Sequence, residues 1–304
     1  MQRTSVSSLQ VCLCLALLYL SWGGSFLGIK LVLTSFPPIF QGGIRLCIAG
    51  AIILLFLPFT RHGKVSGFME VFHYWNIAFF IMFLNGVCQA IGQQSVPSGV
   101  AAMIYGTTPL FMVLGSWLIL GDARPSPKQA AGILGATAGM AILTLGGDAG
   151  ESSETSLSGS LLLLAGVLGF VLGSLYSRYF IRSSGLSLYG GLALVMIFGG
   201  VQSLVASWAM GERVLWNAVT PEAWGSMIFL TLFTSVFGYV CYYWLLANTR
   251  TVIAVSFAYI DPVIAVLLGA LFGGENITLR VVLACALIVG AVLCGFSTPR
   301  RRRA

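Results

Sequence analysis

Charge is what this sequence has least of. Only 8% of its 304 residues are Asp, Glu, Lys or Arg, while 58% are hydrophobic, and a soluble globule carries about 25% charged residues. That shortage excludes a soluble fold and makes a bilayer the solvent. Histidine is nearly absent too. His62 and His73 lie in or beside one loop, and no serine or cysteine motif is arranged with them as a nucleophile–base pair. No Walker sequence occurs, which argues against transport driven by the chain's own ATP hydrolysis. The seven cysteines sit inside apolar runs, without the spacing of a disulfide framework or a metal site, and read as small packing residues. The expectation is therefore a non-enzyme with no metal and no cofactor.

Long apolar runs are what the sequence does have. They extend over about 20 residues, the length of a membrane-spanning helix, rather than alternating in ten-residue segments as barrel strands do. Ten spans are predicted, at 10–33, 38–57, 73–94, 98–119, 128–146, 157–179, 187–209, 223–246, 252–272 and 278–296. The fold class is all-α integral membrane. An alternative for the first run is a signal peptide after Arg3, but the run continues past Trp22 to Leu33, longer than an h-region of about 7–15 residues.

Loop charges set the topology. Alternate assignment puts Arg3, Arg61, Lys64, Arg124, Lys128, Arg178, Arg182, Arg250 and Arg300 to Arg303 on one side, twelve basic residues in all, and only Lys30, Arg213 and Arg280 on the other. The positive-inside rule then makes both termini cytoplasmic. The net charge of +7 is accounted for by topology and requires no nucleic acid. The basic tail at 297–304 reads as an anchor, with anionic lipid binding as the alternative.

One stretch occurs twice. AAMIYGTTPLFMVLGSWLILGD at 101–122 and AVSFAYIDPVIAVLLGALFGGE at 254–275 align at an offset of 153, with Pro109 on Pro262, Gly121 on Gly274 and Asp122 on Glu275. An offset of 148 matches Lys30 to Arg178 and Gly42-Gly43 to Gly190-Gly191, and an offset of 151 matches Gly139 to Gly290. The chain thus divides into a five-helix half at 1–146, an acidic Ser-rich extracytoplasmic linker at 147–156, and a second five-helix half at 157–296. Because five is odd, the second half enters from the opposite face, so the halves form inverted repeats, as in alternating-access transporters.

Polar groups at mid-membrane depth are the candidates for function. Asp261, beside Pro262, suits a proton carrier or a partner for a substrate ammonium; equally it reads as a buried acid capping a broken helix. Arg45 faces a substrate carboxylate, pairs with Asp261, or ties backbone carbonyls. Asn85, Gln89 and Gln93 share one face of span three, and Ser235, Tyr239 and Tyr242 one face of span eight. With Tyr105 and Tyr259, these stripes supply candidate cavity lining or helix–helix contacts. Pro109 and Pro262 remove the hydrogen bonds to the carbonyls of Tyr105 and Ala258, leaving them to substrate, water or the hydroxyls of Thr107 and Thr108. Gly24 and Gly28, Gly135 and Gly139, and Gly169 and Gly173 permit close helix approach inside the bundle.

Trp22-Gly23-Gly24-Ser25-Phe26, Arg45 in Gly42-Gly43-Ile44-Arg45-Leu46, and the two Pro…Gly-acid stretches ending at Asp122 and Glu275 resemble the EamA branch of the drug/metabolite transporter superfamily. The resemblance spans nearly the whole chain. It implies ten helices in two inverted repeats, cytoplasmic termini and export of amino acids or other small metabolites. Asp122 stands where the family usually has Glu, and Asp261 where such sequences are often uncharged, so proton coupling through Asp261 does not follow from the resemblance. The expected protein is a secondary transporter in a bacterial inner membrane, with a small-molecule substrate and no nucleic-acid partner. Proton coupling, and monomer against homodimer, stay open. The alternative is a membrane-embedded enzyme or scaffold.

Overall fold

The computed structural model describes residues 7–56, 67–122, 124–145, 156–180, 186–249, 256–274 and 277–296, and every regular element among them is helical. In chain order these are α1 (Ser8–Val32), α2 (Pro38–Phe56), α3 (Phe68–Gly92), α4 (Ser98–Leu120), α5 (Pro127–Leu145), α6 (Leu157–Phe180) and α7 (Leu188–Ala209). There follow α8, built of the contiguous segments Pro221–Phe229, Leu230–Gly238 and Tyr239–Asn248, then α9 (Phe257–Phe272) and α10 (Leu279–Phe296). Seven described helices are long and apolar enough to cross a membrane, and shorter apolar stretches run over Ile260–Phe272 and Leu279–Ala291. His62, Glu275, the 297–304 tail and all of the 147–156 linker but Ser156 lie outside the described residues, as does the side chain of Tyr259.

The helices turn many large apolar side chains outward and bury small and polar residues beside an apolar core. On α1, Leu9, Leu13, Leu17 and Leu20 are exposed, while Ser21, Gly24, Ser25 and Gly28 are buried. Lipid tails are as apolar as leucine, so helix association here depends on close approach and interhelical hydrogen bonds rather than on water exclusion. Both are present where α1 meets α8. Added Cβ atoms at Gly24 and Gly28 would lie 3.2 Å from the Phe229 ring and 3.1 Å from Leu230. Ser226 Oγ donates to the Gly28 carbonyl at 2.6 Å and Thr234 Oγ1 to that of Ser21 at 3.1 Å. Gly169 and Gly173 of α6 do the same against Phe80, Ile81 and Leu84 of α3, and Gly135 of α5 lies against Ala291 of α10. The expected glycine spacings thus pack helices within the chain.

Most of these contacts recur five helices on. Helix α1 packs on α8 and α9, and α6 on α3 and α4; α2 pairs with α7, and α5 with α10. The α2–α7 crossing is close because Gly43, Gly50 and Gly200 lie in it; a Cβ on Gly200 would come within 2.8 Å of the Cys47 backbone nitrogen. The start of α2 is fixed from α7's side of the bundle, where Glu212 accepts from the backbone N–H groups of Ile39 (3.1 Å) and Phe40 (2.8 Å). A carboxylate there satisfies two otherwise orphaned donors and complements the positive helix end.

Candidate substrate cavity

Four local irregularities shape the interior of the bundle. Helix α4 is interrupted at Gly106 and Thr107, between Ser98–Tyr105 and Thr108–Leu120, which puts Pro109 in the first turn of the second piece, where its missing N–H costs nothing. The Tyr105 carbonyl that Pro109 cannot serve accepts from Thr108 Oγ1 at 2.6 Å, and the Ile104 carbonyl from Thr107 Oγ1 at 2.6 Å. The threonines therefore fill this break locally. In α9, Pro262 sits inside the helix and removes the donor to the Ala258 carbonyl. Here the residue before the proline is Asp261, which has no hydroxyl to give to that carbonyl as Thr108 does. The two breaks meet, since a Cβ on Gly106 would lie 3.2 Å from Pro262 Cγ.

The other two irregularities are π-helical segments, Phe79–Leu84 in α3 and Leu230–Gly238 in α8. Such widened turns displace the residues that follow and are frequent at functional sites. At the end of the first, the Asn85 N–H reaches the Met82 and Phe80 carbonyls and bypasses Ile81. The bypassed carbonyl accepts from Asn85 Nδ2 at 3.2 Å, and Asn85 Oδ1 in turn accepts from Tyr105 OH at 2.7 Å. In the second segment, the Thr234 carbonyl accepts from the indole of Trp22 at 3.2 Å. These segments are not legible from a 3.6-residue reading of the sequence, because neither FFIMFL nor LTLFTSVFG carries a proline or any other mark of a widened turn.

Between these features lies a cavity. It is lined by α1 (Trp22, Ser25, Phe26, Ile29), α2 (Arg45, Leu46), α3 (Ile81, Met82, Asn85, Gly86, Gln89) and α4 (Ala102, Tyr105, Gly106, Thr108). Phe170 of α6, Thr234, Ser235 and Tyr239 of α8, and Phe257, Ala258 and Asp261 of α9 complete it. Its volume is about 120 Å³, well above the roughly 10–15 Å³ that a cavity needs to hold a single water.

The structure brings together Arg45, Asp261, Asn85, Gln89, Tyr105 and Tyr239 on this one cavity, with Pro262 against its lining residue Gly106. Tyr242 is not on its wall; its ring packs 5.2 Å from Trp22 and 5.8 Å from Phe257. The face of α3 is also divided: Gln93 lies beyond the cavity and donates from Nε2 to the Phe26 carbonyl at 2.9 Å. Asn85 is engaged by the helix and Tyr105, whereas the Gln89 side chain lines the cavity without a hydrogen-bond partner among the described residues. The rings of Trp22, Phe26, Phe170 and Phe257 join the wall without having been singled out as lining, since an aromatic residue in an apolar run has no sequence mark of which way it faces.

Arg45 and Asp261 carry the cavity's charge. Arg45 is 9% exposed and Asp261 6%. No ion pair joins them, and Arg45 Nε and Nη1 and Asp261 Oδ1 have no hydrogen-bond partner among the described residues. Of the alternatives for Arg45, the pair with Asp261 is therefore absent, and Nε and Nη1 are not tied to backbone carbonyls of the described residues. Tyr239 is the hydroxyl within electrostatic reach of Arg45. Burying a polar group without a partner is costly, so these atoms, unpartnered among the described residues, make the two residues candidates for contact with a ligand or water.

The comparisons with known proteins agree with this architecture. The family model described as the EamA-like transporter family matches residues 9–145 and again 157–296. The chain is 31% identical over 279 residues to the uncharacterized inner membrane transporter YedA of Escherichia coli (strain K12), covering 91% of this chain and 87% of that protein. It is 27% identical over 286 residues to the uncharacterized transporter YvbV of Bacillus subtilis (strain 168), covering 92% and 89%. Protein PagO of Salmonella typhimurium (strain LT2) is 25% identical over 301 residues, covering 96% and 93%. A solved crystal structure shares the fold, with a TM-score of 0.66 at 20% identity over 96% of this chain and 99% of that one. With two family matches spanning nearly all of the sequence, the chain belongs to the EamA-like transporter family of multi-pass membrane proteins.

Proposed function

We propose that the protein is a secondary transporter that exports a small organic metabolite, such as an amino acid, by alternating access at this cavity. The observation that carries the reading is the meeting of the interrupted helix α4 with the proline of α9 at a cavity lined by Arg45 and Asp261, both buried and with atoms that have no partner among the described residues. Ten spans in two inverted halves, 1–146 and 157–296, follow from the same reading. Its supports are the doubled sequence, the contacts that recur five helices on, the π segments in α3 and α8, and Gly121 and Gly274, both left-handed at φ of 67° and 63°. In an inverted pair the breaks come to similar depth while Asp122 and Glu275 face opposite sides of the membrane. The charge bias places both termini in the cytoplasm, and the name of the relative YedA supports a bacterial inner membrane.

In this mechanism the substrate occupies the cavity against Asp261 and Arg45, with Gln89, Tyr105 and Tyr239 as further contacts, and Pro109 and Pro262 supply the breaks about which the wall rearranges. Asn85 positions Tyr105. Flux through purified protein in liposomes tests the reading against a panel of amino acids, nucleosides and organic cations, with and without a pH gradient. Uptake of at least one class is expected; failure with all of them removes the transport reading. Asp261→Asn separates the two roles of the acid. If Asp261 carries a coupling proton, the variant loses the pH dependence of transport; if pH dependence is unchanged, it is not the coupling site.

A further inference from the structure

Tyr105 lines the cavity, and its hydroxyl reaches into the contact between α3 and α6. The oxygen donates to Asn85 Oδ1 at 2.7 Å and occupies the place that a side chain on Gly166 of α6 would take, 2.6 Å from an ideal Cβ there. The other atoms around that Cβ, the Asn85 carbonyl oxygen and Cys88 Cβ, both lie at 3.2 Å. Gly166 is therefore a socket for the tyrosine oxygen. Any side chain at 166 competes with the hydroxyl for it, and an oxygen moved out to ordinary contact travels about 1 Å. The helix fixes the direction. Phe170 lies one turn on from Gly166, on the same face of α6, and lines the cavity, so a group added at 166 pushes the Tyr105 ring toward the cavity interior.

The two halves of the chain differ here in a complementary way. At the offsets of 148 and 153, Phe170 falls on Trp22, Gly166 on Leu18 and Tyr105 on Ala258. Trp22, Phe170, Tyr105 and Ala258 all line the cavity, and Leu18 is buried. One half sets a large residue on α4 against a glycine of α6; the other has a small residue on α9 and a leucine on α1. We infer that Gly166, which does not itself line the cavity, sets its width by seating the Tyr105 ring, and so determines how bulky a molecule it admits. The inference rests on the reading of this cavity as the substrate site and adds a size-selecting position outside its wall.

Thiol reagents of two sizes test this without a known substrate. Gln89→Cys, in a full chain whose own cysteines are replaced by alanine, places one half-buried thiol on the cavity wall, and its rates of labelling by methyl and by benzyl methanethiosulfonate are compared in detergent. Gly166→Ala should cut the benzyl-to-methyl ratio about tenfold, the change that about 1.4 kcal/mol of overpacking produces. On a Tyr105→Phe background, which removes the competing oxygen, the same substitution should change the ratio by less than about twofold, a coupling that a general loosening of α6 would not show. Gly169→Ala is the control on the same helix, because its Cβ would meet Leu84 and the Phe80 carbonyl, neither of which lines the cavity; the ratio should not move. An unchanged ratio in Gly166→Ala, an equal fall on both backgrounds, or the same fall in Gly169→Ala overturns the proposal. Where Gly166→Ala does not fold, Gly166→Val on the Tyr105→Phe background takes its place, since the bulkier side chain reaches the ring that has lost its oxygen, and an unchanged ratio there overturns the proposal equally. Liposome flux through the unmodified protein is scored separately. A shifted ratio without flux removes the transport reading and keeps the role of Gly166, whereas flux with an unshifted ratio does the opposite.

Discussion

Gly200→Ala adds one methyl group at the α2–α7 crossing. Its Cβ would stand 2.5 Å from Cys47 Sγ, 2.8 Å from the Cys47 backbone nitrogen and 2.9 Å from the Gly43 carbonyl oxygen. The sulfur can rotate away. The backbone atoms cannot, so relief to an ordinary contact requires the helix axes to part by about 0.5 Å, an overpacking that costs about 1–3 kcal/mol. Arg45 lies two residues from both Gly43 and Cys47 on α2, so the same displacement shifts the guanidinium in the cavity. Gly42→Ala is the matched control, because a Cβ there has no atom within 4 Å and Ala favours a helix over Gly by about 1 kcal/mol. Thermal unfolding in one detergent, read by circular dichroism, should place Gly200→Ala several degrees below the unmodified protein and Gly42→Ala at or above it, with substrate binding reduced only in the former. Indistinguishable melting of the two variants would refute the assigned crossing.

Two further substitutions probe the ends of the bundle. Glu212→Ala withdraws both oxygens that hold the N–H groups of Ile39 and Phe40; a loss of about 1–2 kcal/mol should appear in unfolding, and faster hydrogen exchange at those two amides should locate it. Asp122→Asn breaks the ion pair to Arg178 at 2.9 Å, whose side chains are 41% and 53% exposed. At such exposure the loss should stay below about 1 kcal/mol and vanish in high salt, and a larger, salt-independent effect would mean that the pair is more than a surface contact.

Much of this was readable before any coordinates, for reasons specific to membranes. An apolar run must become a helix when nothing but its own backbone can satisfy its polar groups, so the helical class followed from composition. Asp261 and Arg45 stood out because charge is rare and costly at that depth. The face of a side chain was harder to read. Constant pitch puts Gln93 on one face with Asn85 and Gln89, but eight residues span about 12 Å along a helix axis, so a shared face is not a shared depth. Gln93 lies beyond the cavity and binds the Phe26 carbonyl, and Tyr242 packs on Trp22 rather than on the wall that Tyr239 lines. Nor did the sequence distinguish the two proline breaks by their consequences. Thr108 closes the first with its own hydroxyl, while Asp261 beside the second keeps a buried oxygen that has no partner among the described residues.

The central claim is that one cavity faces each side of the membrane in turn. Ser235 lines that cavity in the π segment of α8 and is buried, so a single cysteine there, in a chain otherwise free of cysteine, reports its exposure. A membrane-impermeant thiol reagent is applied to intact cells and, separately, to inside-out vesicles, with and without a compound of the flux panel that the protein transports. Alternating access predicts labelling of Ser235→Cys from both faces and protection by that compound from both. Labelling from one face only, or from neither, would contradict it.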